Sequence, residues 1–206
     1  MIKSEHHPVI SKIFDWYIPH IIKKDFAGVE VVGTWKPVSG KASLIIGNHV
    51  SWWDGFWVLH LNHKFLHKDL HVMILEEQLK KNKVLSKTGA YSVNPGSRSI
   101  IESLDYTTQL LENEKNAVVV YPQGKISSFI GTDIDFRPGI ERVLKKCKDV
   151  QILLYSAFVD YFSERKPTLY LYIGEIGFER YSLEEITEKY RSFYLECYNK
   201  HAKMKS

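Results

Sequence analysis

Two short runs in this chain, Leu44-Ile45-Ile46-Gly47 and Ala117-Val118-Val119-Val120-Tyr121, carry no charged or amide side chain at any position. Successive strand residues point to opposite faces of a sheet, so a run that is apolar throughout needs cover on both sides. That requirement excludes a sheet with one wet face. Between such runs lie segments with helical periodicity, and the alternation points to layers of helix on sheet. Strands are expected over residues 29–32, 43–47, 71–75, 117–121, 151–158 and 168–173. Helices are expected over 8–23, 52–64, 76–83, 97–112, 139–147 and 182–202. The fold class is therefore α/β: a mixed, largely parallel central sheet flanked by helices, with an amphipathic helix at the N-terminus. The 206 residues suffice for one substantial core. They divide into an N-terminal helix, residues 1–24, and an α/β domain, residues 25–206.

Composition narrows the function classes. Lys and Arg number 28 against 24 Asp and Glu, a net charge of +4. The excess is spread along the chain, favouring anionic partners such as acidic lipid surfaces and falling short of a nucleic-acid footprint. Cys147 and Cys197 form no metal or redox spacing, as in a reducing cytoplasmic compartment. The opening MIKSEHHPVISK lacks the clean apolar core of a signal peptide. No run approaches the ~20 apolar residues that span a bilayer. The expectation is a cytoplasmic protein that is soluble or lies on a membrane surface and does not cross one.

The first helix carries a wide apolar stripe, Val9, Ile10, Ile13, Phe14, Trp16, Tyr17, Ile18, Ile21 and Ile22, with Lys12, His20, Lys23 and Lys24 at its margins. Two readings fit it. The helix lies in a lipid headgroup zone, or it packs on the domain core.

The chemistry concentrates in Leu44–Trp57, LIIGNHVSWWDGFW. The strand ends at Gly47, and Ser51 suits the N-cap of the following helix. Residues five apart on a helix point about 140° from each other, so His49 and Asp54 cannot meet if both are helical. With His49 in the preceding loop and Asp54 in the first turn, the carboxylate reaches back to one imidazole nitrogen. The other nitrogen is then a base at the C-terminal edge of the sheet, where open α/β folds bind ligands. Trp52, Trp53, Phe56 and Trp57 follow on the helix, and Trp52, Trp53 and Trp57 are candidates for contact with an apolar ligand or a membrane.

Asn48, His49, Ser51 and Asp54 resemble position by position the NHxSxxD block of the glycerolipid acyltransferases typified by 1-acylglycerol-3-phosphate acyltransferase. The resemblance implies that His49 is a general base oriented by Asp54. It further implies transfer of an acyl group from a thioester, on CoA or acyl carrier protein, to a lysolipid hydroxyl, with no bound cofactor. The family's second block falls at GAYSVNPGSRS, where Asn94 and Pro95 occupy the places of its acid and arginine; Arg98 is either the replacement cation or a solvated first-turn residue. The third, roughly FPEGTRS, falls at Tyr121-Pro122-Gln123-Gly124-Lys125-Ile126-Ser127. Gln123, Gly124, Lys125 and Ser127 become substrate-binding candidates around an anion cradle, and FRPGI (Phe136–Ile140) follows as in many relatives. The fourth is matched by a strand, Val150–Ala157, without its closing proline. The similarity covers about residues 25–175. Because lysine does not reproduce bidentate guanidinium recognition, the acceptor can differ from lysophosphatidic acid.

Rival classes are weaker. A hydrolase lacks a GxSxG elbow. His60, His63, His67 and His71 have helix-like spacing, but Asn62, Lys64 and Lys68 among them fit a solvated helix end better than a zinc site, so no metal is expected. A non-catalytic lipid-binding protein on the same fold is the alternative.

Overall fold

The computed structural model describes residues 1–147, 149–178 and 180–204. Helix α1 (Pro8–Asp25) leads into β1 (Gly28–Val32) and β2 (Ser43–Gly47); α2 (Asp54–Leu61) continues as a π-turn, Asn62–Leu66, into β3 (Asp69–Leu75). Then come α3 (Glu76–Lys81), a 3-10 turn, β4 (Ala90–Val93), α4 (Ser99–Leu110), β5 (Asn116–Val120) and α5 (Gly139–Lys146). The chain closes with β6 (Gln151–Asp160), β7 (Thr168–Gly177) and α6 (Leu183–His201).

The seven strands form one sheet in the order β1-β7-β6-β2-β5-β3-β4. Every neighbouring pair is parallel except β6 and β7. The C-terminal ends of β6, β2, β5, β3 and β4 therefore share one edge, while β1 and β7 run the other way.

The two-sided apolar strands place core on both faces. Leu44, Ile46, Val118 and Val120 face one cluster with residues of α5 and α6. Ile45, Ala117 and Val119 face the other, with Ile18 and Ile22 of α1 and Trp57, Val58 and Leu61 of α2. This is the period-two alternation of covered strands.

The first helix packs on the domain core with part of its apolar stripe and leaves the rest outward. Ile18 and Ile22 are buried, while Val9, Ile13, Trp16 and Tyr17 are exposed, Trp16 at 70%. The exposed four lie at i, i+4, i+7 and i+8, a single outward stripe. Residues 1–7 run antiparallel along β4: Ser92 N–H donates to Ile2 O (2.9 Å), Gly89 N–H to Glu5 O (2.9 Å) and His7 N–H to Lys87 O (2.9 Å). They cover a sheet edge that would otherwise stand open. Strand β4 itself lies outside the expected set, and α2 starts later and ends earlier than the expected 52–64.

Candidate active site

β2 delivers the site through its last residue. A Cβ on Gly47 would lie 2.0 Å from Cε1 of Tyr155 on β6, so only glycine lets that ring pass beneath the strand end. Next, the buried Asn48 amide pairs with the backbone of Ala157 in both directions: Nδ2 donates to its carbonyl (3.1 Å) and Oδ1 accepts from its N–H (2.9 Å). The loop that follows is thereby fastened to β6 before it reaches His49.

The loop closes on one carboxylate oxygen. Asp54 Oδ2 accepts from Val50 N–H (2.8 Å) and Ser51 N–H (3.1 Å) and lies 2.6 Å from His49 Nδ1. These contacts bend residues 49–53 into a tight turn and delay the helix to Asp54. Ser51 is accordingly not the helix N-cap; its Oγ accepts from Trp53 N–H (3.1 Å) inside the turn. Asp54 is 1% exposed, and its buried Oδ1 meets no hydrogen-bond partner among the described residues. Burial pushes this carboxyl above the ordinary aspartate range, and the bonds from His49, Ser51 and Val50 oppose that rise. His49 Nε2 makes no hydrogen bond among the described residues, and its side chain is 27% exposed. One ring nitrogen is held and the other is open.

A second strand end shapes the ring's surroundings. Tyr121, just past β5, stacks on the imidazole with centroids 4.6 Å apart and planes 20° apart. The Tyr155 hydroxyl donates to the Tyr121 hydroxyl at 3.0 Å, and Tyr190 on α6 donates to the Tyr155 carbonyl at 2.9 Å. Burial pushes the Tyr121 hydroxyl well above the ordinary tyrosine range, with Asp54 adding to the effect, so it stays protonated.

The expected anion cradle is built differently. Gln123 is buried and its Oε1 accepts from His49 N–H at 3.4 Å. The amides of Gly124 and Ser127 are already engaged, donating to Tyr121 O (2.9 Å) and His49 O (2.8 Å), so neither is free to receive an anion. Lys125 and Ser127 line a small cavity of about 190 Å³ together with Asn48, Gln123 and Asp133. Arg137, inside the FRPGI segment and given no role by the sequence, donates from Nε to Gln123 O at 3.2 Å and from its backbone to Pro122 O at 2.9 Å. Arg98 is exposed at the start of α4. It follows β4, which stands across β5 and β3 from β2, on the order of 14 Å away by strand spacing.

The tryptophans separate. Trp52 is 63% exposed, and Trp53 packs edge-on against Trp52 and Phe26. Trp57 is 1% exposed in the core, so it does not reach a membrane. The helix after His49 has to cover the sheet, and the position four beyond Trp53 falls on its inner side.

The histidines with helix-like spacing do not converge. His63 pairs with Asp15 of α1 (3.0 Å), while His71 is buried under residues 1–7. Among the described residues no three His, Cys, Asp or Glu side chains gather as a ligand set.

A family model described as Acyltransferase matches residues 28–157. No curated protein matches the chain. Among solved structures, the chain is similar to the 1-acyl-sn-glycerophosphate (LPA) acyltransferase PlsC from Thermotoga maritima. The TM-score is 0.66 at 15% identity, over 95% of this chain and 80% of that one. The likeness is one of fold.

Proposed function

Because the chain belongs to the acyltransferase family, we propose that it moves a fatty acyl group from a thioester, on CoA or acyl carrier protein, to the hydroxyl of a lysophospholipid or related lysolipid. His49 is the general base and Asp54 its orienting partner. The observation that carries this reading is the 2.6 Å contact between Nδ1 and Asp54, which leaves Nε2 unbonded beside a partly open face. Asp54 holds the proton on Nδ1, so Nε2 is the acceptor. The substrate oxygen loses its proton to Nε2 as it attacks the thioester carbonyl. The C–S bond breaks, the ester forms, and the departing thiolate takes the proton back. No enzyme nucleophile is needed, and the transfer requires no bound cofactor.

The outward stripe of α1 suits a lipid surface. Val9, Ile13, Trp16 and Tyr17 are exposed together on a helix that ends in Lys23 and Lys24. Among the described residues no helix is long and apolar enough to cross a membrane. We place the protein peripherally, on the cytoplasmic face that also supplies CoA or acyl carrier protein.

The test is lipid profiling by mass spectrometry after the purified protein receives an acyl thioester and a panel of lysolipids. Acylation by the wild type and its loss in His49→Ala, with lipid binding kept, is the expected result. Lipid binding with no acylation of any acceptor by the wild type replaces the enzyme with a non-catalytic lipid-binding protein.

A further inference from the structure

We infer that Asp133 receives the ammonium group of a zwitterionic acceptor headgroup; the inference rests on the acyl-transfer reading above. The cavity of about 190 Å³ adjoins the base through the backbone on either side of it. Asn48 and Val50, the neighbours of His49 in the chain, both line it, as do Gln123 and Ser127. Gln123 Oε1 accepts from His49 N–H (3.4 Å), and Ser127 N–H donates to His49 O (2.8 Å). Asp133, given no role by the sequence, forms part of the same wall. Its loop is fastened on both sides of it by α6. Tyr194 donates its hydroxyl to Phe129 O, and Arg191, one turn earlier, donates from Nη2 to Ile134 O (2.9 Å). The Ile134 side chain is itself buried in the core. The Asp133 carboxylate is thus placed by its neighbours, and it meets no hydrogen-bond or ion-pair partner among the described residues.

Size and charge then choose the occupant. The volume is that of about six water molecules in the liquid, room for a small polar head. Lys125 is the other charged residue of the wall and likewise has no partner among the described residues, so the lining holds one cation and one anion. A fatty tail would take water from both charges and replace it with nothing. A phosphate monoester gains from one and is repelled by the other. A head with an ammonium beside its anionic group leaves neither charge unanswered, and the carboxylate is the acceptor that an ammonium requires.

Kinetics with oleoyl-CoA and three acceptors of one tail test it: 1-oleoylglycerophosphoethanolamine, its N-acetyl derivative and 1-oleoylglycerol 3-phosphate. The wild type is expected to favour the free amine over the acetylated one by about tenfold in kcat/KM, the worth of one charged hydrogen bond. Asp133→Asn keeps the shape and removes the charge. It lowers kcat/KM for the free amine and raises it for the phosphate monoester, whose charge the carboxylate repels. Asp133→Glu recovers part of the preference for the amine, and a thermal melt checks that each variant folds. A merely structural role would move all three acceptors together. If the wild type acylates but treats amine and amide alike, or if Asp133→Asn changes all three acceptors equally, the inference falls while the acyl-transfer reading stands. If the wild type acylates nothing, phosphoethanolamine is titrated into ¹⁵N-labelled protein. Shifts around residues 127–134 that vanish in Asp133→Asn keep the headgroup site without the enzyme. Equal shifts in both proteins, or none in either, overturn it.

Discussion

At the scale of single residues, the site depends on how tightly the imidazole is held. Asp54 fixes one edge at 2.6 Å and Tyr121 covers one face at 4.6 Å. On the proposed reading, His49→Ala removes the base and lowers kcat by about two to four orders of magnitude, the usual contribution of a positioned proton acceptor. A steady-state assay with saturating donor measures it. On the same reading, Tyr121 is a positioning residue through its stacked ring. Tyr121→Phe keeps the stacked ring and loses only the Tyr155 bond, so its effect is small. Tyr121→Ala frees the imidazole and lowers kcat about ten- to a hundredfold with little change in KM. A larger effect in the Phe variant than in the Ala variant rejects the stacking role. The His49–Asp54 contact was readable from sequence because both groups sit in one local turn, and helical geometry leaves few ways for them to meet. Asn48–Ala157, 109 residues apart, and Arg137 against Gly124 were not, since those contacts exist only after distant strands and loops have been brought to one edge.

At the scale of elements, α1 turns one face to the core and another outward, and the two separate by mutation. Ile18 and Ile22 belong to the core beside Trp57 and Leu61. Ile22→Ala leaves a cavity there and costs about 2–5 kcal/mol in chemical denaturation. Trp16→Ser and Ile13→Ser touch exposed side chains and change stability by no more than about 0.5 kcal/mol. Together they reduce cosedimentation with acidic vesicles if the outward stripe meets lipid, and unchanged sedimentation removes that contact. Deleting residues 1–24 does not make this distinction, because it strips the inner face and the arm along β4 as well. Periodicity showed the helix and its apolar width, but a stripe that wraps so far around cannot say which part faces inward. Strand β4 escaped for a different reason. Its four residues, Ala90–Val93, lie between a glycine and the Asn-Pro-Gly turn, and Ser92 breaks the apolar run. What makes it a strand is pairing on both sides, with β3 and with residues 1–7.

At the scale of the whole molecule, that pairing draws the chain's first residues into its acid stability. His71 on β3 is 5% exposed beneath the N-terminal arm. Its Nδ1 lies 2.9 Å from Ser4 Oγ, which also reaches the Tyr106 hydroxyl at 3.0 Å, and His6 meets its ring edge-on at 4.8 Å. Burial, reinforced by His6 and only partly offset by Asn116 and Asp69, pulls the His71 pKa down to about 4. The folded state therefore binds this proton less readily than the unfolded chain, whose histidines titrate near 6.5. Its share of stability is fully present above the unfolded value and is lost progressively as pH falls from about 6.5 towards about 4, where the loss levels off. The total is on the order of 3 kcal/mol. His6 and His201 are shifted the same way and add to the slope. Urea denaturation at pH 7.5 and pH 4.5 reads the effect, with His71→Gln beside the wild type. The variant starts less stable, having lost shape complementarity in a packed site, yet it loses less on acidification because the titrating group is gone. Hydrogen exchange at residues 86–92 should rise in acid in the wild type, since expelling a charged His71 loosens the arm that pairs with β4. Equal acid losses in both proteins place the sensitivity elsewhere and leave the buried histidine a matter of packing alone.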